Sequence, residues 1–263
     1  MWCRLASRSL WLDEAVIFWS IKDGFAETIH RVVNYQNQSP MYNLVVWAVK
    51  HIFGSGEMAL RLISFAATLG SCFIVYSIGR RVFERESALL AVFFFMTLDD
   101  VVSAATNVRP YSFGILFAAL SMLMLMRWMK SLDTKHLAGY ALSLAATIYS
   151  HFLFAAVLLV QLFYFGTEAS RTPALRRQAP RLVVALLVTA VCLLPALPQL
   201  SLLRDRSHIL AFAQLPGVVD LLCAWFPPHV LLFVIAGILA ARDRRLAGPC
   251  VPPSGLHLLR VDY

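Results

Sequence analysis

Long apolar runs dominate the chain and set its predicted architecture. Each run approaches the roughly 20 residues that a helix needs to cross the hydrocarbon of a bilayer. Leu, Ala, Val and Phe fill the runs, with Gly and Ser between them, which suits helices that pack against helices in lipid. The pattern predicts an all-α polytopic membrane protein with about seven transmembrane helices. Long apolar stretches without Asp, Glu, Lys or Arg include 62–79, 110–126, 137–167, 182–203 and 221–241, and residues 86–104 are apolar until Asp99 and Asp100.

Composition agrees with this pattern, because hydrophobic residues make up 59% of the chain and charged residues only 14%. An ordinary soluble domain carries about 25% charged residues. The formal net charge of +8 does not indicate a nucleic-acid partner, since the basic residues stand between apolar runs. Thirteen of the 23 Lys and Arg residues form four short clusters: Arg80, Arg81 and Arg85; Arg127, Lys130 and Lys135; Arg171, Arg176, Arg177 and Arg181; and Arg242, Arg244 and Arg245.

These clusters predict the orientation of the chain, because basic residues that flank spans stay on the cytoplasmic side. An even number of crossings must then separate any two clusters. The stretch 131–169 therefore crosses twice and turns near residues 149–151. The predicted order is 58–79 inward, 87–106 outward, 110–129 inward, two crossings in 131–169, 182–200 outward and 217–240 inward. The outer loops then lie near 1–57, 105–110, 149–151 and 201–216.

The chain is expected to have three parts: a first outer loop over 1–57, a helical bundle over 58–241 and an atypical tail over 242–263. Within the first loop, residues 13–35 read as one amphipathic helix that lies along the membrane surface. A second apolar stretch, 40–53, begins at a proline and is too short to span. Nothing before residue 58 is long enough to carry the loop across, so a preceding helix is expected to be missing and the sequence to be truncated at both ends.

The sequence contains none of the common metal-binding, nucleotide-binding or protease motifs of soluble enzymes. The five cysteines are scattered, so neither a disulfide framework nor a zinc site is predicted, and they read as small buried hydrophobes. No nucleotide-binding or zinc-protease motif is found. Polar residues at the predicted outer surface remain as the candidates for function.

Asp13 and Glu14 are adjacent carboxylates at the start of the first predicted helix. Asp13 could simply cap that helix. In the second outer loop Arg109 is a lone cation between two spans, and it could either reach the lipid headgroups or clamp a phosphate. Tyr111 follows it after the proline that begins the next helix.

Four further polar residues stand at positions where a membrane protein usually carries apolar ones. Asp99 and Asp100 lie toward the outer end of a predicted span, where paired carboxylates are costly and usually functional, unless the helix ends earlier and leaves them in water. His151 and the neighbouring Tyr149 stand at a predicted outer turn, where an interfacial role is the simpler interpretation.

The ordered series of segments resembles the GT-C superfamily of membrane glycosyltransferases. The branch it resembles holds the protein O-mannosyltransferases, the aminoarabinose transferases of lipid A and the RgtA/B/C/D-like bacterial proteins. The resemblance covers roughly residues 9–165. It rests on LWLDEA, QSPMYNLVVWAVKHIFGSGEMALRLIS, YSIGRRVF, TNVRPYSF and YSHF, in that order.

The resemblance implies a reaction and a set of roles. A sugar carried on a polyprenyl phosphate moves to a glycan, lipid or protein acceptor at the outer face, with inversion and without a nucleotide sugar. Asp13 is then the candidate base, and Glu14 orients it or binds a metal. Arg109 is the candidate for the carrier phosphate, with Tyr111 beside it. A divalent metal is possible, but the sequence names no ligand set for it.

Two departures from the family pattern concern the site. Many relatives have Glu where this chain has Asn107, and many have His-Pro-Pro-Leu-Tyr where it has residues 38–42, Gln-Ser-Pro-Met-Tyr. The first change could remove a metal ligand or an acidic partner of the acceptor, for which Asp99 or Asp100 could substitute.

Two other function classes stay open: a transporter or flippase of a lipid-linked substrate, and a non-catalytic membrane subunit. Transporters often show paired halves with broken helices at the midplane, and no half-repeat is visible here. The expected location is a bacterial inner membrane, with membrane lipids as partners and the active site outside. The sugar and the acceptor are not encoded in any motif.

Overall fold

The computed structural model describes residues 12–36, 40–199 and 217. The predicted helix 217–240, the loop 201–216 and the tail 242–263 lie outside these residues, apart from Gly217. All described residues before Gly217 belong to one compact unit, and they contain helices and no strands. The helices are α1 (Leu12–Ser20), α2 (Phe25–Arg31), α3 (Met41–Phe53), α4 (Glu57–Val82), α5 (Arg85–Thr97), α6 (Asp99–Thr106), α7 (Tyr111–Ser131), α8 (Thr134–Ser150), α9 (Val157–Arg171), α10 (Pro173–Arg176) and α11 (Ala179–Leu193).

Membrane-spanning helices form most of this unit. Four helical stretches are long and apolar enough to cross a bilayer: α4, α7, Phe152–Arg171 and Ala179–Gln199. The bent pair of α5 and α6 makes a fifth if it is one span. Helix α8 has 17 residues, is not among these candidate spans, and packs along α7. The structure therefore confirms an all-α membrane protein, whereas the double crossing of 131–169 stays a prediction.

Helix α4 shows how the spans divide between lipid and protein. Leu62, Phe65, Leu69 and Phe73 recur at helical spacing and are between 41% and 70% exposed, so this stripe faces lipid. Ser64, Thr68 and Ser71 lie on the other side and are buried. The hydroxyls of Thr68 and Ser71 each donate to the carbonyl four residues earlier, which satisfies them without a partner helix.

The predicted single span 87–106 is wrong in one respect, since the chain bends by 67° between α5 and α6. Leu98 has an extended backbone at the bend, with φ −66° and ψ 127°. Asp99 and Asp100 then begin the first turn of α6, and negative side chains at this position stabilise the N-terminus of a helix. Both are exposed. The helix thus ends before the carboxylates, which is the alternative that the sequence had left open.

The predicted helix 13–35 is also interrupted, because α1 ends at Ser20 and α2 begins after Gly24. A short π-helical turn, Val32–Gln36, continues α2. Arg31 joins the two helices: it donates to the Trp19 carbonyl at 2.8 Å and pairs with Asp23. The predicted extent of the helix at 40–53 is confirmed, since α3 starts after Pro40 and ends at Phe53. Gly54 follows with a φ of 88°, which suits glycine at a helix C-terminus. The position of this helix along the membrane stays a prediction.

Two buried clusters hold the unit together. The first joins α1, α3, α4 and the start of α7, and its centre includes Ile17, Tyr42, Val46, Leu60 and Phe113. The second joins α7, α8, α9 and α11, with Trp128, Tyr140 and Phe165 among its large side chains. The first cluster lies directly against α1 and the loop 107–110, so it fixes the position of the polar residues that were singled out from the sequence.

Candidate functional site

Asp13 and Glu14 lie in the first turn of α1, and consecutive residues of an α-helix point about 100° apart. They therefore cannot share one environment. The Asp13 side chain is 54% exposed, whereas that of Glu14 is 4% exposed. Asp13 lies inside the helix rather than at its cap. The two carboxylates have different partners.

The buried carboxylate of Glu14 receives an arginine from the neighbouring helix. Arg61 of α4 donates through Nε to Oε1 at 3.2 Å and through Nη2 to Oε2 at 2.8 Å. This two-point geometry is the strong form of a carboxylate–guanidinium contact. Arg61 is as buried as Glu14, so the pair is shielded from water.

Glu14 also holds the loop between α6 and α7. The backbone N–H of Val108 donates to its Oε1 at 2.7 Å. One carboxylate thus ties together α1, α4 and the loop 107–110, although these segments are far apart in sequence. The next loop residue, Arg109, is placed beside α1 as a result.

Arg109 pairs with Asp13 through Nη1, and its Nη2 donates to the Tyr111 hydroxyl at 3.0 Å. Its guanidinium carbon lies 4.9 Å from the centre of the Tyr111 ring. The Arg109 side chain is 25% exposed, so part of the cation still faces the surroundings. The adjacent acids of α1 therefore hold adjacent residues of the loop: Glu14 holds Val108, and Asp13 holds Arg109.

His151 extends this group from the turn after α8. Its ring lies 5.3 Å from that of Tyr111, between centroids, and its Nδ1 accepts from the Leu153 N–H at 3.3 Å. Burial lowers the pKa of His151 below its ordinary value, and the nearby charge of Arg109 lowers it further. The ring is therefore neutral at pH 7.

The other residues singled out from the sequence have different partners. Asn107 ends α6 and donates to the Ser103 hydroxyl at 3.0 Å. Tyr149 donates to the Cys192 carbonyl at 2.8 Å and so joins α8 to α11. Asp99 and Asp100 are exposed at the start of α6, and within the described residues neither makes an ion pair.

Two residues at this site were not singled out as functional candidates in the sequence, although both lie in a segment that carries the family resemblance. Arg61 stands in an apolar helix, and its only signal was a lone cation four residues inside a span. Tyr42 is buried below the site, and its hydroxyl shares a hydrogen bond of 2.8 Å with Ser64. Burial raises the pKa of Tyr42, so this hydroxyl stays protonated.

A cleft opens beside the Asp13–Arg109 pair with a volume of about 220 Å³. No three His, Cys, Asp or Glu side chains of the described residues are grouped closely enough to hold a metal ion. The cleft is lined by one carboxylate, one guanidinium, one amide and aromatic and apolar side chains. Its lining residues are Asp13, Val16, Ile17, Tyr35, Gln36, Arg109 and Pro110.

Comparison with known proteins identifies the family. The model of the dolichyl-phosphate-mannose-protein mannosyltransferase family matches residues 37–198, which is more than half of the chain. Arg61, Arg109 and His151 lie inside the matched region, and Asp13 and Glu14 precede it. No curated protein and no solved structure matches the chain significantly. The chain belongs to the dolichyl-phosphate-mannose-protein mannosyltransferase family and is a membrane glycosyltransferase of the GT-C type.

Proposed function

We propose that the protein transfers a sugar from a polyprenyl-phosphate carrier to an acceptor hydroxyl at the outer membrane face, with inversion at the anomeric carbon. The observation that carries this proposal is the contact between Asp13 and Arg109 at the mouth of the cleft. A transfer of this kind needs one group that accepts a proton and one that binds an anionic leaving group. The pair supplies both within a single contact.

Asp13 is the proposed general base. Its carboxylate is the more exposed of the two acids and lines the cleft, so an acceptor hydroxyl can reach it. The hydroxyl proton passes to Asp13 as the acceptor oxygen bonds to the anomeric carbon. The bond from that carbon to the phosphate oxygen breaks, and the polyprenyl phosphate leaves with the electron pair. General-base assistance of this kind is worth about 10²- to 10⁴-fold in rate.

Arg109 is the proposed phosphate-binding residue, with Tyr111 as its support. A guanidinium offers two parallel donors to a phosphate and stabilises the charge that develops as the carrier leaves. In the structure those donors are occupied by Asp13 and by the Tyr111 hydroxyl. A carrier phosphate would take the place of the Asp13 carboxylate on Arg109, and this exchange releases Asp13 to act as the base.

Glu14 is proposed to position these two residues rather than to react. Its oxygens accept from Arg61 and from the Val108 N–H, and it is buried away from the cleft. The alternative of Glu14 as a metal ligand gains no support from its surroundings. His151, neutral and beside Tyr111, is proposed to fix the Tyr111 ring. Accessory roles for Asn107 and Tyr149 stay predictions. So does a second acidic site at Asp99 and Asp100.

The orientation is proposed from charge. The basic residues in the last turns of α4, α7 and α9 stand at the helix ends that lie away from Asp13 and Arg109. Because such residues stay on the cytoplasmic side, the cleft faces outward. A bacterial inner membrane is the proposed location, and a lipid-linked sugar and a glycan, lipid or protein acceptor are the proposed partners.

Sugar transfer in membranes that contain the full chain tests the proposal. The membranes receive radiolabelled polyprenyl-phosphate hexoses, and the label that moves from the carrier to membrane acceptors is counted. Asp13→Asn should lower the transfer at least about 100-fold, because the proton acceptor is removed.

Asp23→Asn is the matched control, since Asp23 is also an exposed carboxylate that pairs with an arginine, Arg31. It should leave the rate within about twofold of the original. Equal transfer by the Asp13→Asn protein would contradict the proposal. Carrier that crosses the membrane with its sugar still attached would favour a flippase instead.

A further inference from the structure

A second cleft lies at the other end of the helix bundle, between α4, α7 and the end of α9. Its volume is about 540 Å³, within the usual range of roughly 300–1,000 Å³ for small-molecule sites. On α4, Arg80 follows Arg61 by 19 residues, which places this cleft roughly 28 Å along the helix from the Asp13–Arg109 site. It is therefore separate from the proposed reaction centre.

The charges around this cleft are mostly positive. Arg80 and Arg81 come from α4 and Lys130 from α7, whereas Glu168 of α9 is the only acidic residue that the described part of the chain contributes to the lining. Glu168 already has a basic neighbour, Arg171, at 3.7 Å. Within the described residues, Arg80, Arg81 and Lys130 form no salt bridge, so their charges are available to an anion.

The walls beside these cations are suited to a lipid rather than to a soluble anion. Met126, Met129 and Leu175 contribute apolar surface to the lining. The lipid-facing stripe of α4 runs through Phe73, which is 70% exposed, and Arg80 follows Phe73 at the same helical position two turns later. An acyl chain along this stripe brings its headgroup to Arg80.

We propose that this cleft binds the headgroup of an anionic phospholipid, with the phosphate held by Arg80, Arg81 and Lys130. The hydroxyl of Thr172 is a further donor in the lining. Basic pockets between transmembrane helices at the cytoplasmic side are known to take such headgroups. A lipid with two phosphodiesters, such as a diphosphatidylglycerol, should bind more tightly than one with a single phosphodiester, because the lining has three cations and one carboxylate.

The test measures lipid retention by the purified full chain in detergent. Diphosphatidylglycerol, phosphatidylglycerol and phosphatidylcholine are added separately, and bound lipid is counted by native mass spectrometry. The original protein should retain the two anionic lipids, the first most strongly, and should not retain phosphatidylcholine. The triple variant Arg80→Gln, Arg81→Gln, Lys130→Gln should lose at least about tenfold in anionic lipid affinity.

A matched triple variant, Arg85→Gln, Lys135→Gln, Arg177→Gln, removes three exposed cations at the same end of the bundle but outside the cleft. It should retain lipid like the original protein. Equal losses in both triple variants would overturn the proposal, because the effect would then be one of general charge. Displacement of the lipid by millimolar inorganic phosphate would also overturn it, in favour of a soluble anion.

Circular dichroism shows whether the triple variant folds. If it does not, the original protein still tests the proposed site. Equal retention of phosphatidylcholine and phosphatidylglycerol by that protein would contradict the proposed site. The single variant Lys130→Gln, on an exposed position of α7, provides a milder change and should lower retention measurably.

Discussion

At the scale of single residues, the neighbouring acids of α1 illustrate how one turn of helix separates two tasks. Glu14 is buried and bound to Arg61 and to the loop backbone, whereas Asp13 is half exposed and faces the cleft. The residue that fixes the geometry and the residue that is proposed to react are thus distinct. A reactive carboxylate with the partners of Glu14 would have no free oxygen edge for an acceptor.

The buried pair should dominate the stability of the N-terminal region. Glu14→Gln keeps an oxygen that can accept from Val108 but removes the charge opposite Arg61. A buried charge that loses its partner costs about 3–5 kcal/mol. The melting temperature in detergent, followed by circular dichroism, should therefore fall clearly.

Glu27→Gln provides the control for this change. Glu27 is a carboxylate of α2 with a partly exposed ion pair to Arg31, which keeps Asp23 as a second partner. The control should change the free energy of unfolding by less than about 0.5 kcal/mol. A Glu14→Gln protein as stable as the Glu27→Gln protein would contradict the assigned role of the buried pair. The double variant Glu14→Gln, Arg61→Met should regain part of the loss.

At this scale the sequence predicted candidates but not all their partners. Asp13 and Arg109 were both singled out, because a carboxylate and a cation at the outer surface suit the chemistry of the resembled family. Arg61 was missed, since a single arginine near the end of an apolar helix usually reaches toward the lipid headgroups. Only the packing of α1 against α4 shows that this arginine points into the protein.

At the scale of helices, local polar residues explain both departures from the predicted elements. Asp99 and Asp100 stabilise the start of a new helix and so break the predicted span at Leu98. Gly24 and its neighbours interrupt the predicted helix 13–35, and Arg31 closes the resulting corner. Apolar periodicity continued across both points, which is why periodicity alone did not reveal them.

Close packing between α4 and α5 depends on a glycine. A Cβ at Gly79 would lie 3.0 Å from the Cβ and 3.1 Å from the Cα of Ala88. Gly79→Leu should therefore push the two helices apart and cost about 1–3 kcal/mol. The melting temperature of the purified protein measures this effect.

Gly166→Leu is the matched control, because an added Cβ there meets no atom within 4 Å and the position is exposed. Both changes raise the helix propensity of their position equally, so they differ in packing alone. The control should leave the melting temperature unchanged or slightly raised. A Gly79→Leu protein that melts with the control would show that the helices are not closely packed there.

At the scale of the whole molecule, the bundle has two ends with different charge and chemistry. One end carries Asp13, Arg109 and the cleft, and the other carries Arg80, Arg81 and Lys130 with the proposed phospholipid site. Hydropathy and charge predicted this division, because both are long-range properties of composition. The association of α1 with the loop 107–110 could only be inferred from the resemblance, since it depends on tertiary packing.

The proposed orientation can be measured in intact cells with single cysteines in a protein that has no others. Gly24→Cys lies at the cleft end, in open space, and Lys135→Cys lies exposed at the opposite end. A membrane-impermeant maleimide should label the first and label the second only after the cells are broken. The reverse result would place the Asp13–Arg109 cleft on the cytoplasmic side.

The central claim is that Asp13 and Arg109 form one reaction centre in which the arginine holds the carrier phosphate and the aspartate takes the proton. The most direct test is the initial rate of sugar transfer as a function of carrier concentration in the Asp13→Asn and Arg109→Lys proteins. Asp13→Asn should lower kcat at least about 100-fold. It should not raise KM for the carrier, because the phosphate no longer has to displace a carboxylate from Arg109. Arg109→Lys keeps the charge but loses the paired donors, and it should raise that KM about 10- to 100-fold. Unchanged kcat in the first variant, or unchanged KM and kcat in the second, would contradict the account.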